Sequence, residues 1–158
     1  MIAAAEVRAT TMGHAFVITA VDESGVLKAF SRMDGAPLLS VQIAQDKAHT
    51  AAGFGISTDG WHDFIKDFIN DDPPLAAGAP TRIDRLVAFG GSYPITVDGR
   101  VVRGIGVSGG HDTQDMEVAQ AALAVLEPRG RATGPRRRPL RARCRDTTSP
   151  GPRRRLSR

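Results

Sequence analysis

The sequence predicts an α+β domain, an antiparallel five-stranded sheet with helices packed on it. Two observations carry this reading. Runs rich in Val, Ile, Thr and Phe alternate in polarity and are joined by short Gly-containing turns, as in "AVDESGVLKAF" and "ITVDGRVV", which is the pattern of hairpins. Between and after them lie Ala-rich segments with apolar residues at helical spacing. Because hairpins rather than long crossovers join the strands, the sheet should be antiparallel and the helices should form a layer upon it.

Each element follows in order. Residues 2–11 are Ala-rich and read as the end of a helix closed by Gly13, since glycine adopts the left-handed conformation that ends helices. His14 to Gly25 reads as a strand running into a turn at Asp22–Gly25, and Val26 to Met33 as its hairpin partner. Residues 34–37, "DGAP", break the strand. Residues 38–54 carry Leu39, Ile43, Ala44, Ala48, Ala51 and Ala52 near helical spacing, with Ser40 either an internal polar position or the N-cap. Residues 57–70 read as a short helix capped by Ser57 or Thr58, with Trp61, Phe64, Ile65 and Phe68 on its apolar face. "DDPPLAAGAP" reads as a loop. Three strands follow at 85–89, 94–97 and 101–108, with Asp98-Gly99 as a strong hairpin turn between the last two. Residues 112–127 form the last helix, offering Met116, Val118, Ala119, Ala122, Leu123 and Leu126 to the sheet. No internal repeat is visible.

The chain has 158 residues and a formal charge of +4, but the charge is divided unevenly. Residues 1–128 hold nine basic and sixteen acidic side chains, a net of −7, whereas 129–158 hold twelve arginines and one aspartate, a net of +11. The domain therefore spans 1–128. The tail has no apolar period and is dense in Arg, Pro and Gly, so it should be disordered. It reads as a non-native extension translated from GC-rich DNA out of frame, as a genuine disordered tail, or as a nucleic-acid-binding arm, the first reading fitting its Lys-free composition best. Nucleic acid is expected as a partner only through this tail. Cys144 is the single cysteine, which excludes an internal disulfide and any multi-cysteine metal site within one chain. No stretch approaches about 20 apolar residues, and no basic and apolar leader opens the chain. A cytoplasmic protein without a membrane partner is expected.

Candidate chemistry concentrates around residues 103–115. "GIGVSG" matches the spacing of a dinucleotide fingerprint, but that fingerprint needs its glycines in the turn of a βαβ unit. Gly104 and Gly106 fall inside a strand, where glycine permits close packing or a bulge. Ser108, Gly109 and Gly110 end that strand just before a helix N-terminus, whose free N–H groups suit an anion. Asp112, Asp115 and Glu117 oppose such a site, and a turn capped by Asp112 or Thr113 is the plainer reading. Lys47 stands on an Ala-rich helix face beside Asp46. It is either a buried cation serving an acidic ligand or half of a surface ion pair of small energetic weight. Asp34 is a helix-start cap or, less readily, a pocket carboxylate. His49 and His62 read as helix-face residues, and His111 could join a pocket with Asp112. No zinc or iron ligand spacing occurs, so no metal site is expected. Ser108 is not in a nucleophile elbow, and no catalytic residue can be assigned.

The linked pieces "AVDESGVLKAFSRMDGAPLL", "DKAHTAAGFG", "GGSYPITVDGRVVRGIGVSGG" and "QDMEVAQAAL" make residues 13–127 resemble the GlcG/HbpS-like haem-degrading family, which also supplies the C-terminal domain of some corrinoid adenosyltransferases. The resemblance implies a compact α+β domain with a five-stranded sheet, assembly into homo-oligomers, and in some members binding of haem or a corrinoid. It makes haem the candidate cofactor and His14, placed like the "GH" of some haem-binding members, its candidate axial ligand; an exposed strand-start residue is the plainer reading of His14. The candidate ligand-binding set is His14, Lys47, Ser108, Gly109 and Gly110. The expected function is binding of a small ligand, haem or a related tetrapyrrole. The alternative is an auxiliary catabolic enzyme acting on a small oxygenated acid or aldehyde. Two departures stand out. Only about a dozen residues precede the first strand where the family has a full helix, which bears on the helical layer. Arg103 stands where members often have a small residue, which bears on a pocket mouth.

Overall fold

A computed structural model describes residues 1–68 and 83–126 of the chain. The Arg-rich tail and the expected loop "DDPPLAAGAP" lie outside the described residues. Four helices and four strands follow in the order α1 (Ile2–Met12), β1 (Val17–Asp22), β2 (Leu27–Arg32), α2 (Ser40–Phe54), α3 (Thr58–Phe68), β3 (Ser92–Val97), β4 (Arg100–Ser108) and α4 (Asp112–Ala124). The strands form one sheet in the order β2-β1-β4-β3, antiparallel at every pairing.

The turns behave as their residues require. Asp98 and Gly99 have φ of 51° and 78°, the two left-handed positions of a type I′ hairpin turn. At the β1–β2 turn the Asp22 carboxylate accepts from the Ser24 and Val26 N–H groups at 3.0 and 2.9 Å, an Asx turn. Its partner Lys28 at 2.9 Å and these amides hold its pKa below the ordinary 3.8.

The sheet is covered on both faces. Val17 and Val21 pack with Ala44, Ala48 and Ala52 of α2. Ile18, Ile105 and Val107 pack with Ala5 and Ala9 of α1 and Val118, Ala119 and Ala122 of α4. Val17 to Val21 are accordingly all buried, the signature of a strand with helices on both sides. The glycines in β4 explain how closely α2 approaches. A Cβ on Gly104 would lie 2.2 Å from the Ala48 carbonyl oxygen, and one on Gly106 would lie 2.1 Å from that of Ala44. Close packing is therefore what these glycines serve.

The brief N-terminal segment still completes the second helical layer. α1 packs on α4 and ion-pairs to it through Arg8 and Glu117, while Glu6 accepts from Ser31 of β2 at 2.5 Å.

Among the described residues the sheet has four strands where five were expected. Residues 85–89 are irregular, and two of their backbone groups are held by a side chain instead of a ladder. The Thr50 hydroxyl donates to the Arg85 carbonyl at 3.1 Å and accepts from the Val87 N–H at 3.0 Å. Arg85 itself has φ 61°, incompatible with a strand. β3 is thus an outer strand, which suits Pro94, a residue without an N–H to donate.

The short helix α3 is capped as expected by Ser57, whose hydroxyl accepts from the Gly60 N–H at 3.3 Å. Thr58 instead accepts from Ser92 at 3.0 Å, tying α3 to β3. Trp61 is buried and stacks on Phe54 at 4.2 Å and Phe64 at 5.1 Å between ring centroids.

Candidate functional site

Topology gathers the candidate residues at one end of the sheet. β1 and β3 begin there, and β2 and β4 end there. The segments ahead of Val17, after Arg32, ahead of Ser92 and after Ser108 therefore emerge together.

α1 ends at Gly13, with φ 72°. The Gly13 and His14 N–H groups donate back to Thr10 and Ala9 at 3.0 and 3.3 Å, closing the helix in the manner of a Schellman cap. This closure throws His14 outward. Its imidazole is exposed and meets Phe16 edge-on, with centroids 6.5 Å apart. Among the described residues its ring nitrogens have no hydrogen-bond partner.

Ser108, Gly109 and Gly110 form the turn from β4 into α4. Ser108 pairs with Val17 and is buried. A Cβ on Gly109 would lie 2.6 Å from the Ala15 carbonyl oxygen and 2.9 Å from the Phe16 Cα. One on Gly110 would lie 2.5 Å from the Gln114 Oε1 and 3.0 Å from the Phe16 ring. The turn is thus pressed against the segment that carries His14. Its amides are engaged by α4: Gly110 donates to Asp115 at 3.1 Å and His111 to Gln114 at 2.9 Å. His111, rather than Asp112 or Thr113, is the N-cap residue.

Lys47 lies behind this turn. It is fully buried, so it is not part of a surface pair, and its partner is not Asp46. Its ammonium donates to Asp115 at 2.6 Å and to the Val107 carbonyl at 3.1 Å, and lies 4.6 Å from the centroid of the Phe89 ring. Gly91 makes room for it, since a Cβ there would lie 2.6 Å from Nζ. Burial pushes the Lys47 pKa down and that of Asp115 up, each opposed by the other's charge. Asp46 pairs instead with Arg85 at 2.8 Å.

Lys47, Asp115 and the Ser108–Gly110 turn are therefore one connected unit, with His14 on its outer side across Phe16. Asp115, Phe89 and Gly91 were not anticipated as members of it. A signal existed for Asp115, which lies in register with the buried stripe Val118, Ala119 and Ala122, as Lys47 does with Ala44, Ala48 and Ala51. Two opposite charges on two apolar faces must find each other or stay unpaired in the core.

The remaining candidates lie apart. Asp34 is in the turn after β2 and does not cap α2, whose N-cap is Leu39. His49 accepts from Arg85 at 3.3 Å, and burial and that guanidinium lower its pKa. His62 contacts the Ala88 carbonyl at 3.2 Å. Among the described residues no group of three or more His, Cys, Asp or Glu is placed to hold a metal ion, and no helix is long and apolar enough to cross a membrane. Two clefts are lined by other residues. One of about 530 Å³ lies against Ile95, Val102 and Arg103. The other, about 210 Å³, lies between His49 and Leu86.

The fold and sequence have clear relatives. Protein GlcG of Escherichia coli K12 is 35% identical over 126 residues, covering 80% of this chain and 88% of GlcG. The corrinoid adenosyltransferase PduO of Salmonella typhimurium LT2 is 34% identical over 123 residues, 78% of this chain, and the match spans only 35% of PduO. The crystal structure of a PduOC:haem complex superposes with a TM-score of 0.70 at 33% identity, covering 78% of this chain and 86% of that one. The family model described as "Haem degrading protein HbpS-like" matches residues 1–124, and the chain belongs to that family.

Proposed function

We propose that the protein binds haem, with the His14 imidazole as the group that would hold the iron. The observation that carries this reading is His14 itself: an exposed imidazole, unpartnered among the described residues, held by a helix cap at an end of the sheet. A neutral imidazole of this kind can ligate haem iron. The same end carries the exposed side chains of Leu38, Leu39 and Phe89, apolar surface of the sort a macrocycle covers. Ser108, Gly109 and Gly110 support the wall beneath His14 through Phe16. Lys47 contributes from behind by holding Asp115, and through it the Gly110 amide. Haem, when bound, would supply the iron centre; the chain supplies a ligand, an apolar rim and a rigid support. The family name and the haem complex of the PduOC relative point the same way.

Titration of the full chain with haem tests the reading. The parent should give a saturable shift of the Soret band. His14→Ala should lose that shift and keep its thermal midpoint, because the side chain it removes is exposed. A parent that leaves the haem spectrum unperturbed, or a His14→Ala protein with the parent's spectrum, rejects the proposal.

A further inference from the structure

At the opposite end of the sheet the two helices α1 and α4 leave an apolar cleft. It has a volume of about 530 Å³ and is lined by Met1, Ile95, Thr96, Val97, Val102, Arg103 and Leu126. That size lies within the range of about 300–1,000 Å³ typical of small-ligand sites. Val97 and Leu126 are about half exposed, at 55% and 48%, so apolar surface is open to water there, and covering it is favourable.

Arg103 carries the charged side chain of this lining, which Met1 also joins. It pairs across the ladder with Ile95 and so shares the face of the sheet on which Ile95 packs. Arg8, Lys28, Lys47 and Arg85 each have a carboxylate partner. Arg103 is exposed and, like Arg32, Lys66 and Arg100, has none among the described residues. A planar guanidinium at the rim of an apolar cleft offers two parallel donors to a carboxylate.

We propose that this cleft binds a small carboxylic acid with an apolar body, its carboxylate on Arg103 and its chain along Ile95, Val97, Val102 and Leu126. The site lies at the far end of the sheet from His14 and does not depend on haem binding there. Haem also joins an apolar body to carboxylates, so the test must separate the two sources.

Decanoate and decanol serve as probes, titrated calorimetrically into the full chain. Decanoate should bind the parent. Arg103→Gln should weaken it by at least about tenfold, the scale of a lost charge-assisted hydrogen bond, while leaving decanol binding unchanged. Val97→Trp, at an exposed position on an outer strand, should fill the cleft and reduce binding of both probes. Decanoate binding that is absent at millimolar concentration, or equal in parent and Arg103→Gln, overturns the proposal. So does haem displacing decanoate from the His14→Ala protein, which would make the cleft a haem site. Failure of the His14 reading would leave the decanoate results untouched.

Discussion

At the scale of single residues, the Lys47–Asp115 pair is the feature with the largest energetic stake. Side-chain exposure is 0% for Lys47 and 3% for Asp115. Two desolvated charges contribute little net stability as a pair, but breaking the pair strands one of them. Lys47→Met keeps most of the aliphatic stem and leaves Asp115 buried beside an apolar group. It should cost about 3–5 kcal/mol in urea unfolding. The double variant Lys47→Met/Asp115→Leu should recover most of that loss, because no uncompensated charge remains. A single variant within about 1 kcal/mol of the parent would show that water reaches Asp115 as readily as it reaches a surface carboxylate.

At the scale of elements, α2 on β4 is the contact that local sequence describes best. Gly104 and Gly106 were legible as strand glycines that serve either close packing or a bulge. The structure supplies what they pack against, the Ala44 and Ala48 carbonyls. Backbone atoms cannot rotate away as a side chain can. Gly106→Ala should therefore force α2 off the sheet and cost at least about 1–3 kcal/mol. Gly53, within α2 itself, faces open space: apart from the helix's own backbone, a methyl group there would have nothing within 4 Å. Gly53→Ala should stabilise the protein by about 0.5–1 kcal/mol, and urea unfolding of the two variants should move in opposite directions. The expected strand at 85–89 shows where local reading runs out. "RLVAF" has strand composition, but whether it pairs depends on Thr50, a residue thirty-five positions away from Arg85. Distance in sequence likewise hid the pairing of Lys47 with Asp115.

At the scale of the whole molecule, the hairpins and the helix-ending Gly13 could be read from spacing, because each is a local rule, whereas the helices on both faces of the sheet could not. The choice of His14 as a candidate ligand rests on resemblance, since nothing in its neighbours' chemistry distinguishes a ligand from an exposed strand-start residue. Assembly is the property that the isolated chain leaves open, and the surface argues for it. β2 is an outer strand, whose free backbone groups form a template for pairing. It and the turn before it expose Val26, Leu27 and Phe30. Soluble monomers commonly protect such an edge with charges or prolines, but here the charge of Lys28 is answered by Asp22, the Arg32 guanidinium donates to the Ala36 carbonyl, and the strand has no proline. The protein is therefore expected to form a homo-oligomer through the β2 edge. Light scattering at micromolar concentration should give a mass above that of one chain. Phe30→Lys, which places a charge where the edges would meet, should lower that mass without changing the far-ultraviolet circular dichroism. A parent that scatters as a monomer would exclude assembly at that concentration, and a Phe30→Lys protein of unchanged mass would place the interface on another surface.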